Sequence, residues 1–156
     1  MPIQDFDIYT KNGYAGDLVD SGPRVVQSGV VETPAGIGFG LGVKRGTANK
    51  QVLLGGEASI FAISQREYNQ EADTRPSDGS TSYKVTNSIS LIRQGYLYVE
   101  LSGAAGVSDG DKIRVDTVTG KFTMDAVAGN VIQTTNVTSD EDGVAGDIIK
   151  IRIDIE

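Results

Sequence analysis

The chain contains no cysteine, no histidine and no tryptophan, and each absence removes a class of chemistry. Without cysteine there are no disulfides, thiolate metal sites or cysteine nucleophiles, and without histidine the commonest general base and metal ligand is missing. With no tryptophan and only 6% aromatic residues, the chain also lacks the large aromatic platform that sugar-binding sites favour. We therefore predict no catalytic residues, no cofactor and no metal site.

Long apolar runs and basic stripes are missing as well. No stretch approaches the roughly 18 apolar residues of a membrane-spanning helix, and the first residues lack the basic and apolar regions of a signal peptide. The 21 acidic residues outnumber the 14 basic ones, which gives a net charge of −7. These features predict a soluble protein made in the cytoplasm, with neither a membrane nor a nucleic acid as partner.

What the chain does contain is typical of β structure. Its 156 residues are 38% hydrophobic and include 20 dispersed glycines, so that short apolar segments alternate with turn-forming pairs. We predict an all-β fold without helices, a single-domain β-sandwich or small β-barrel that could take a jelly-roll-like form. An irregular N-terminal arm or cap over residues 1–22 precedes a β domain over residues 23–156, which carries a polar loop at 64–82.

Individual strands are predicted from alternating or continuous apolar segments between these turns. The pair Gln94-Gly95 between residues 88–93 and 96–101 is the clearest hairpin signal. Residues 24–32 are predicted to form a strand with a bulge or bend at Gly29. The remaining strands are expected at residues 36–43, 52–54, 60–63, 112–116, 121–124, 131–137 and 148–155.

The segment 36–43 alternates glycine with isoleucine, phenylalanine, leucine and valine. In a strand this period places every side chain on one face and leaves bare backbone on the other. Four such glycines forgo about 2–4 kcal/mol relative to alanine, which close backbone packing inside a barrel or against a neighbouring subunit could offset. We expect the apolar residues to enter the core and treat four residues as structural glycines: Gly36, Gly38, Gly40 and Gly42.

Two loops, Asp109-Gly110-Asp111 and residues 140–143, concentrate carboxylates on glycine turns. Calcium favours such oxygen ligands, but neither loop has the spacing of an EF-hand, and Asp-Gly is an ordinary hairpin turn. We predict turns. A pair of carboxylates would also suffice for a glycosidase, so a carboxylate hydrolase remains an alternative.

A family resemblance emerges from the order of these motifs. Residues 36–52 resemble the run "glycine, apolar, phenylalanine-glycine, aliphatic, arginine-glycine, polar loop, Gln-Val" of the structural cement, or head-decoration, proteins of tailed phages. Residues 20–23 are similar to the family's N-terminal entry, and residues 95–101, 110–113 and 119–123 follow its later motifs in order. The polar insert at 64–82 is longer and more acidic than the family pattern.

The resemblance implies a virion protein that binds the outer surface of an icosahedral shell of major capsid protein and stabilises the expanded head. It also implies self-association, as a homodimer or homotrimer near symmetry axes. The expected shell-facing parts are the N-terminal arm, the loop at 64–82 and the outward face of the strand at 96–101, although tyrosines there could instead serve cross-strand packing. The candidate capsid or subunit contacts are Tyr9, Tyr14, Tyr68, Tyr96 and Tyr98. A tail or baseplate β-module and a carbohydrate-binding β-sandwich module remain alternatives.

Overall fold

The computed structural model describes residues 13–19, 22–67 and 82–155. Within these ranges the regular structure consists of nine strands, which confirms the predicted all-β class. The strands are β1 (Val25–Val31), β2 (Gly42–Arg45), β3 (Gln51–Leu54), β4 (Ala62–Ser64), β5 (Ser88–Ser102), β6 (Lys112–Asp116), β7 (Phe122–Thr123), β8 (Val131–Ser139) and β9 (Ile148–Ile153). The described residues include no helix long and apolar enough to span a bilayer.

The nine strands form two closed rings that share β5. In the first ring β1 pairs with β3, β3 with β2, β2 with β4 and β4 with β5, and β1 closes the ring by pairing with β5. In the second ring β5 pairs with β7, β7 with β6, β6 with β8 and β8 with β9, which returns to β5. We call these rings the first barrel and the second barrel. Closure removes most of the open sheet edges.

The hairpin predicted at Gln94-Gly95 is wrong, because β5 runs through this pair as one strand of 15 residues. The register between β1 and β5 shifts here, since Val25 lies opposite Gln94 while Val26 lies opposite Ile92. Gly95 has a φ of 131°, which glycine adopts easily. The extra residue of this β-bulge is Arg93, and Gly95 follows it as the first residue paired with β9 instead of forming a turn.

The bulge predicted at Gly29 is also wrong, because the register of β1 stays regular there. Gly29 instead allows a close approach: a Cβ at this position would lie 3.0 Å from Leu91 Cδ1 and 3.2 Å from the Lys50 carbonyl oxygen. The later strands are better predicted. β6 has the expected bounds, and β7, β8 and β9 each differ by no more than two residues at either end.

The apolar core consists of two clusters, and the larger one extends from the second barrel to β4 of the first. Leu97, Val99 and Leu101 of β5 are fully buried in the core of the second barrel, as their alternation predicted. The first barrel buries a separate cluster that includes Ile37, Val43 and Tyr83. Burying one such side chain stabilises the fold by about 1.5–3 kcal/mol, so both clusters contribute substantially.

The alternating glycine segment is not the continuous strand that its period predicts. Ile37 forms an isolated bridge with Tyr83, residues 39 and 40 form a turn, and the strand begins only at Gly42. Gly36 and Gly40 have φ values of 81° and 69°, which break an extended strand. The expected burial is met by Ile37 and Val43, whereas residues 39 and 41 are only partly buried.

The bare backbone of this segment nevertheless packs closely, against other parts of the same chain. A Cβ on Gly40 would lie 2.8 Å from the amide nitrogen of Gly16, and Gly42 donates a backbone hydrogen bond of 2.8 Å to the carbonyl of Gly120. A Cβ on Gly38 would approach only Leu41 Cδ1, at 3.3 Å. The glycines thus bring residues 13–19 and the turn before β7 against the first barrel.

Candidate functional site

The outward face of β5 in the second barrel carries the two tyrosines that the sequence predicted there. Tyr96 lies opposite Arg152 and Tyr98 opposite Lys150 in the ladder with β9. The Lys150 ammonium is 5.8 Å from the centre of the Tyr96 ring, and a hydrogen bond with Tyr96 raises the pKa of Arg152. A hydrogen bond to Asp140 likewise raises the pKa of Lys150. Each tyrosine of this face therefore lies opposite a cation of β9.

Residues 13–19 lie along the same part of β5. Gly16 donates to the Tyr98 carbonyl at 2.7 Å, Tyr98 donates to the Asp17 carbonyl at 2.9 Å, and Leu18 forms a bridge with Leu97. A Cβ at Gly13 would lie 3.3 Å from the Tyr98 ring. The N-terminal segment thus covers part of the tyrosine face, and both tyrosine rings are half-buried.

Arg66 fastens this N-terminal segment to the first barrel. Its guanidinium lies 5.0 Å from the centre of the Tyr14 ring and 4.8 Å from that of Phe39, so it is stacked between two aromatic rings. Its Nε donates to the Ala15 carbonyl at 3.2 Å, and its backbone amide donates to the Gly16 carbonyl at 2.8 Å. Tyr14 remains 65% exposed on the outer side of this cluster.

Replacing Arg66 by alanine is expected to loosen residues 13–19 without unfolding the barrels. The change removes two cation–π contacts and a side-chain hydrogen bond, each worth on the order of 1 kcal/mol. Amide exchange at Gly16 should therefore accelerate by about tenfold or more, which hydrogen-exchange mass spectrometry or NMR can measure. The control is Lys121→Ala, which removes a cation of the second barrel. Unchanged exchange at Gly16 in Arg66→Ala would refute the fastening role.

Of the other candidate contacts, Tyr9 and Tyr68 lie outside the described residues. Tyr83, which the sequence did not single out, is fully buried and donates its hydroxyl to the Gln65 carbonyl at 2.7 Å. Burial raises the pKa of this phenol above its ordinary value. Tyr83 also packs edge-on against Phe39, with ring centres 5.3 Å apart, and so holds the aromatic ring over which the Arg66 guanidinium lies.

The acidic loops of the second barrel are turns stabilised by their own carboxylates. Asp111 accepts a hydrogen bond from the amide of Ser108 at 3.0 Å, and Asp147 accepts one from Val144 at 3.0 Å. Asp142 accepts from the amide of Asp109 at 2.8 Å, which ties the two loops together. Across residues 13–19, 22–67 and 82–155 no cluster of three or more Asp, Glu, His or Cys side chains is placed to hold a metal ion.

The first barrel carries mainly basic residues and the second mainly acidic ones, a difference that the net charge of the whole chain does not show. The described residues from 22 to 93, which build the first barrel, contain seven Lys or Arg and three Asp or Glu. From 94 to 155 the chain contains five Lys or Arg and ten Asp or Glu. Counting charges along the sequence could have found this asymmetry, provided that the boundary at β5 had been recognised.

On the basic first barrel, two arginine side chains contact one aromatic ring, that of Phe61. The Arg45 guanidinium lies 4.4 Å, and the Arg93 guanidinium 4.7 Å, from the centre of the Phe61 ring. Two cavities are lined in part by Phe61 and Arg45. Sequence reasoning missed the cluster because its members are far apart in the chain and join only when the first barrel closes.

Comparisons with known proteins agree with the resemblance seen in the sequence. The profile of the family described as "Structural cement protein (E217 gp24/Pam3 gp6)" matches residues 2–154. The fold is similar to that of a chain in the solved capsid of Myoviridae phage XM1, with a TM-score of 0.72 and 19% identity over 95% of this chain and 94% of that chain. The search of curated proteins returned no significant match.

The XM1 likeness shows a shared fold, and the family match extends over nearly the whole chain, including both barrels. The predicted resemblance is therefore confirmed. The chain belongs to the phage structural cement protein family and is a virion structural protein that stabilises the capsid.

Proposed function

We propose that the protein binds the outer surface of an icosahedral phage head, bridges neighbouring major capsid protein subunits and has no catalytic role. The family match over residues 2–154 carries this proposal, because it covers the whole of the described fold. Two barrels that share β5, with an apolar cluster that extends across both, make a rigid unit that can hold two contact points at a fixed distance. A rigid bridge loses little conformational entropy on binding and therefore suits a cement.

The charge distribution supports the exterior position. With a net charge of −7 the protein is repelled by packaged DNA, which is itself a dense polyanion. The second barrel, in which acidic residues outnumber basic ones, contributes much of this charge. The same negative charge also keeps the protein from binding host nucleic acid before it reaches the shell.

Many copies of the protein on one shell can bind firmly together even if each single contact is weak. Many copies on a symmetric shell gain avidity, because each additional contact is made at high effective concentration. A homodimer or homotrimer can also match the local symmetry of its capsid site. We propose that the protein acts as such a closed oligomer.

The contact surface that we propose includes the tyrosine face of β5 and the N-terminal arm. Tyr14, Tyr96 and Tyr98 present large, rigid side chains that form contacts at a small entropic cost. Tyr14 is the most exposed of the three. Tyr9 and Tyr68 complete the proposed contacts.

Purified protein is expected to co-sediment with emptied, expanded heads of its cognate phage and to raise their temperature of disruption. Unexpanded heads prepared from the same phage provide the matched comparison, since the expanded lattice presents different contacts. Electron microscopy of the decorated heads would locate the density inside or outside the shell. Failure to co-sediment, or density on the inner surface, would contradict the proposal.

The double variant Tyr96→Ser/Tyr98→Ser is expected to weaken head binding or self-association by about tenfold or more, because it removes two large apolar contact surfaces. Sedimentation of heads and analytical ultracentrifugation of the free protein measure the two effects. The control, Val118→Ser/Val144→Ser, removes two apolar side chains that are 60% and 65% exposed elsewhere on the second barrel. Equal binding and equal association for the two double variants would exclude the tyrosine face.

A further inference from the structure

The first barrel has an opening in its wall, along one edge of β1. β1 pairs with β5 from Val25 to Val30, but with β3 only at Val30 and Val31. Val30 donates its amide to Lys50 on the β3 side, at 2.9 Å, and Val31 donates to Asn87 on the β5 side, at 3.0 Å. Since backbone groups alternate along a strand, those of Val26 and Ser28 point to the β3 side. Among the described residues no strand pairs with this edge beyond Val30.

This edge is exposed and carries two valines. Val25 is 40% and Val26 46% exposed, and Gln27 and Ser28 are exposed as well. Proteins commonly block such an edge with proline, lysine or an inward-pointing charge, because it can pair with another chain. Residues 25–29 contain none of these. The edge is therefore ready to accept an added strand.

A cavity lies directly beside the edge. Gln27, Ser28 and Gly29 form one wall, the turn from Gly46 to Gln51 forms the opposite wall, and Leu91, Val52 and Phe61 add apolar surface. Leu91 and Val52 are almost completely buried, so they lie at its base. Pockets next to a free strand edge are the usual means by which a protein selects side chains of an added strand.

The surroundings of the cavity are positively charged. Arg45 and Lys50 both line it and are exposed. Arg93 also lies over the Phe61 ring but lines a neighbouring cavity, and its Nε is buried without a hydrogen-bond partner in the described part of the chain. A strand that carries carboxylates beside an apolar residue would satisfy the free backbone groups, the cavity and these cations together.

We propose that the edge of β1 binds an extended, acidic segment of the capsid shell protein, which adds to the first barrel as a strand and places an apolar side chain in the cavity. This inference rests on the proposed function and specifies where the shell protein is held. Main-chain hydrogen bonds with Val26 and Ser28 supply the affinity, and Arg45 and Lys50 select carboxylates.

A second copy of this chain fits the edge less well. Antiparallel pairing of two β1 edges would bring the basic first barrels of both copies together, with Arg24 and Lys50 contributing like charges. The acidic loops of the second barrel are closed turns, held by Asp111 and Asp147, and offer no extended segment. Charge complementarity therefore favours the shell protein.

The test compares Val26→Pro and Ser28→Pro with the wild-type protein in co-sedimentation with emptied heads. Proline removes an amide that points to the open edge and disturbs no bond to β5, so the barrel should still fold. Each variant should bind heads about tenfold more weakly or worse, because it loses a main-chain hydrogen bond and the close approach of the added strand. The control, Val26→Thr, keeps the amide and the β-branched shape and should bind like wild type.

A second pair of variants, Arg45→Gln and Lys50→Gln, preserves the backbone and tests the charge. Each should weaken head binding and reduce its dependence on salt between low and physiological ionic strength. If the wild-type protein itself does not bind heads, the proposed function fails.

The strand-addition site has its own negative outcome. If wild type binds heads, and if the folded proline variants or both glutamine variants bind as well as wild type, the strand-addition site is wrong. Loss of self-association with unchanged head binding would likewise overturn it, in favour of a second copy.

Discussion

Replacing Gly120 by valine is expected to lower the free energy of unfolding by about 2–6 kcal/mol, a large part of the roughly 5–15 kcal/mol that stabilises a typical domain. Gly120 has a φ of 68°, and its carbonyl accepts the amide of Gly42 at 2.8 Å. A Cβ here would overlap the carbonyl oxygen of Gly42. Backbone strain and overlap cost about 1–3 kcal/mol each, and neither can relax without separating the turn before β7 from the first barrel.

The matched control is Gly110→Val. Gly110 has a φ of 86°, but a Cβ there would meet no atom within 4 Å. This variant should therefore show only the backbone strain, about 1–2 kcal/mol. Urea unfolding followed by circular dichroism measures both costs. Equal destabilisation of the two variants would show that the close approach of Gly42 contributes nothing.

Replacing Asn136 by alanine is expected to destabilise the fold by about 2–5 kcal/mol. Asn136 is 5% exposed and accepts the Ile60 amide at 2.9 Å with its Oδ1. Its Nδ2 donates to the carbonyls of Ile60 at 2.9 Å and Asp154 at 3.0 Å. Alanine would leave the polar backbone groups of a buried segment unsatisfied, and each such group costs about 1–3 kcal/mol.

The neighbouring residue provides the control for this prediction. Thr135 also hydrogen-bonds across to the same loop, through a 3.2 Å bond from its hydroxyl to Ala58, but its side chain is exposed. Thr135→Ala should therefore change the unfolding free energy by less than about 0.5 kcal/mol, because water replaces the lost bond. Thermal and urea unfolding of the two variants would decide. A similar, small effect at both positions would mean that Asn136 does not secure the loop.

Sequence reasoning succeeded where structure is set by local alternation. Residues 112–116 alternate charged and aliphatic side chains, and β6 has the predicted bounds with Ile113 and Val115 fully buried. The two faces of β5 at Tyr96 and Leu97 were predicted for the same reason. A period of two fixes which side chains point inward, whatever the rest of the chain does.

Sequence reasoning failed where contacts between distant parts of the chain determine the backbone conformation of glycine. Gln94-Gly95 has the composition of a turn, yet pairing with β1 and β9 keeps both residues within one strand, with a bulge at the preceding Arg93. The period of residues 36–43 cannot show that Gly36 and Gly40 adopt positive φ, because glycine is permitted in both conformations. Tertiary pairing, which a local pattern does not contain, selects between them.

The candidate site could be predicted only in part from the sequence, for similar reasons. The alternation around Tyr96 and Tyr98 predicted their outward face, but the cover provided by residues 13–19 depends on the bridge between Leu18 and Leu97. The open edge of β1 depends on where β3 begins, at Gln51, and therefore on the shape of the preceding turn. No motif in the sequence marks either contact.

The sharing of β5 has a consequence for how the molecule can fail. Opening the second barrel would strip Gly95 to Glu100 of their partners in β9, and opening the first would strip residues 88–94 of theirs in β1. Because the two ladders meet end to end on one backbone, fraying of either ring weakens the anchorage of the other. The barrels should therefore melt as one cooperative unit. Loss of one barrel should therefore abolish every contact that the protein makes, because the other barrel unfolds with it.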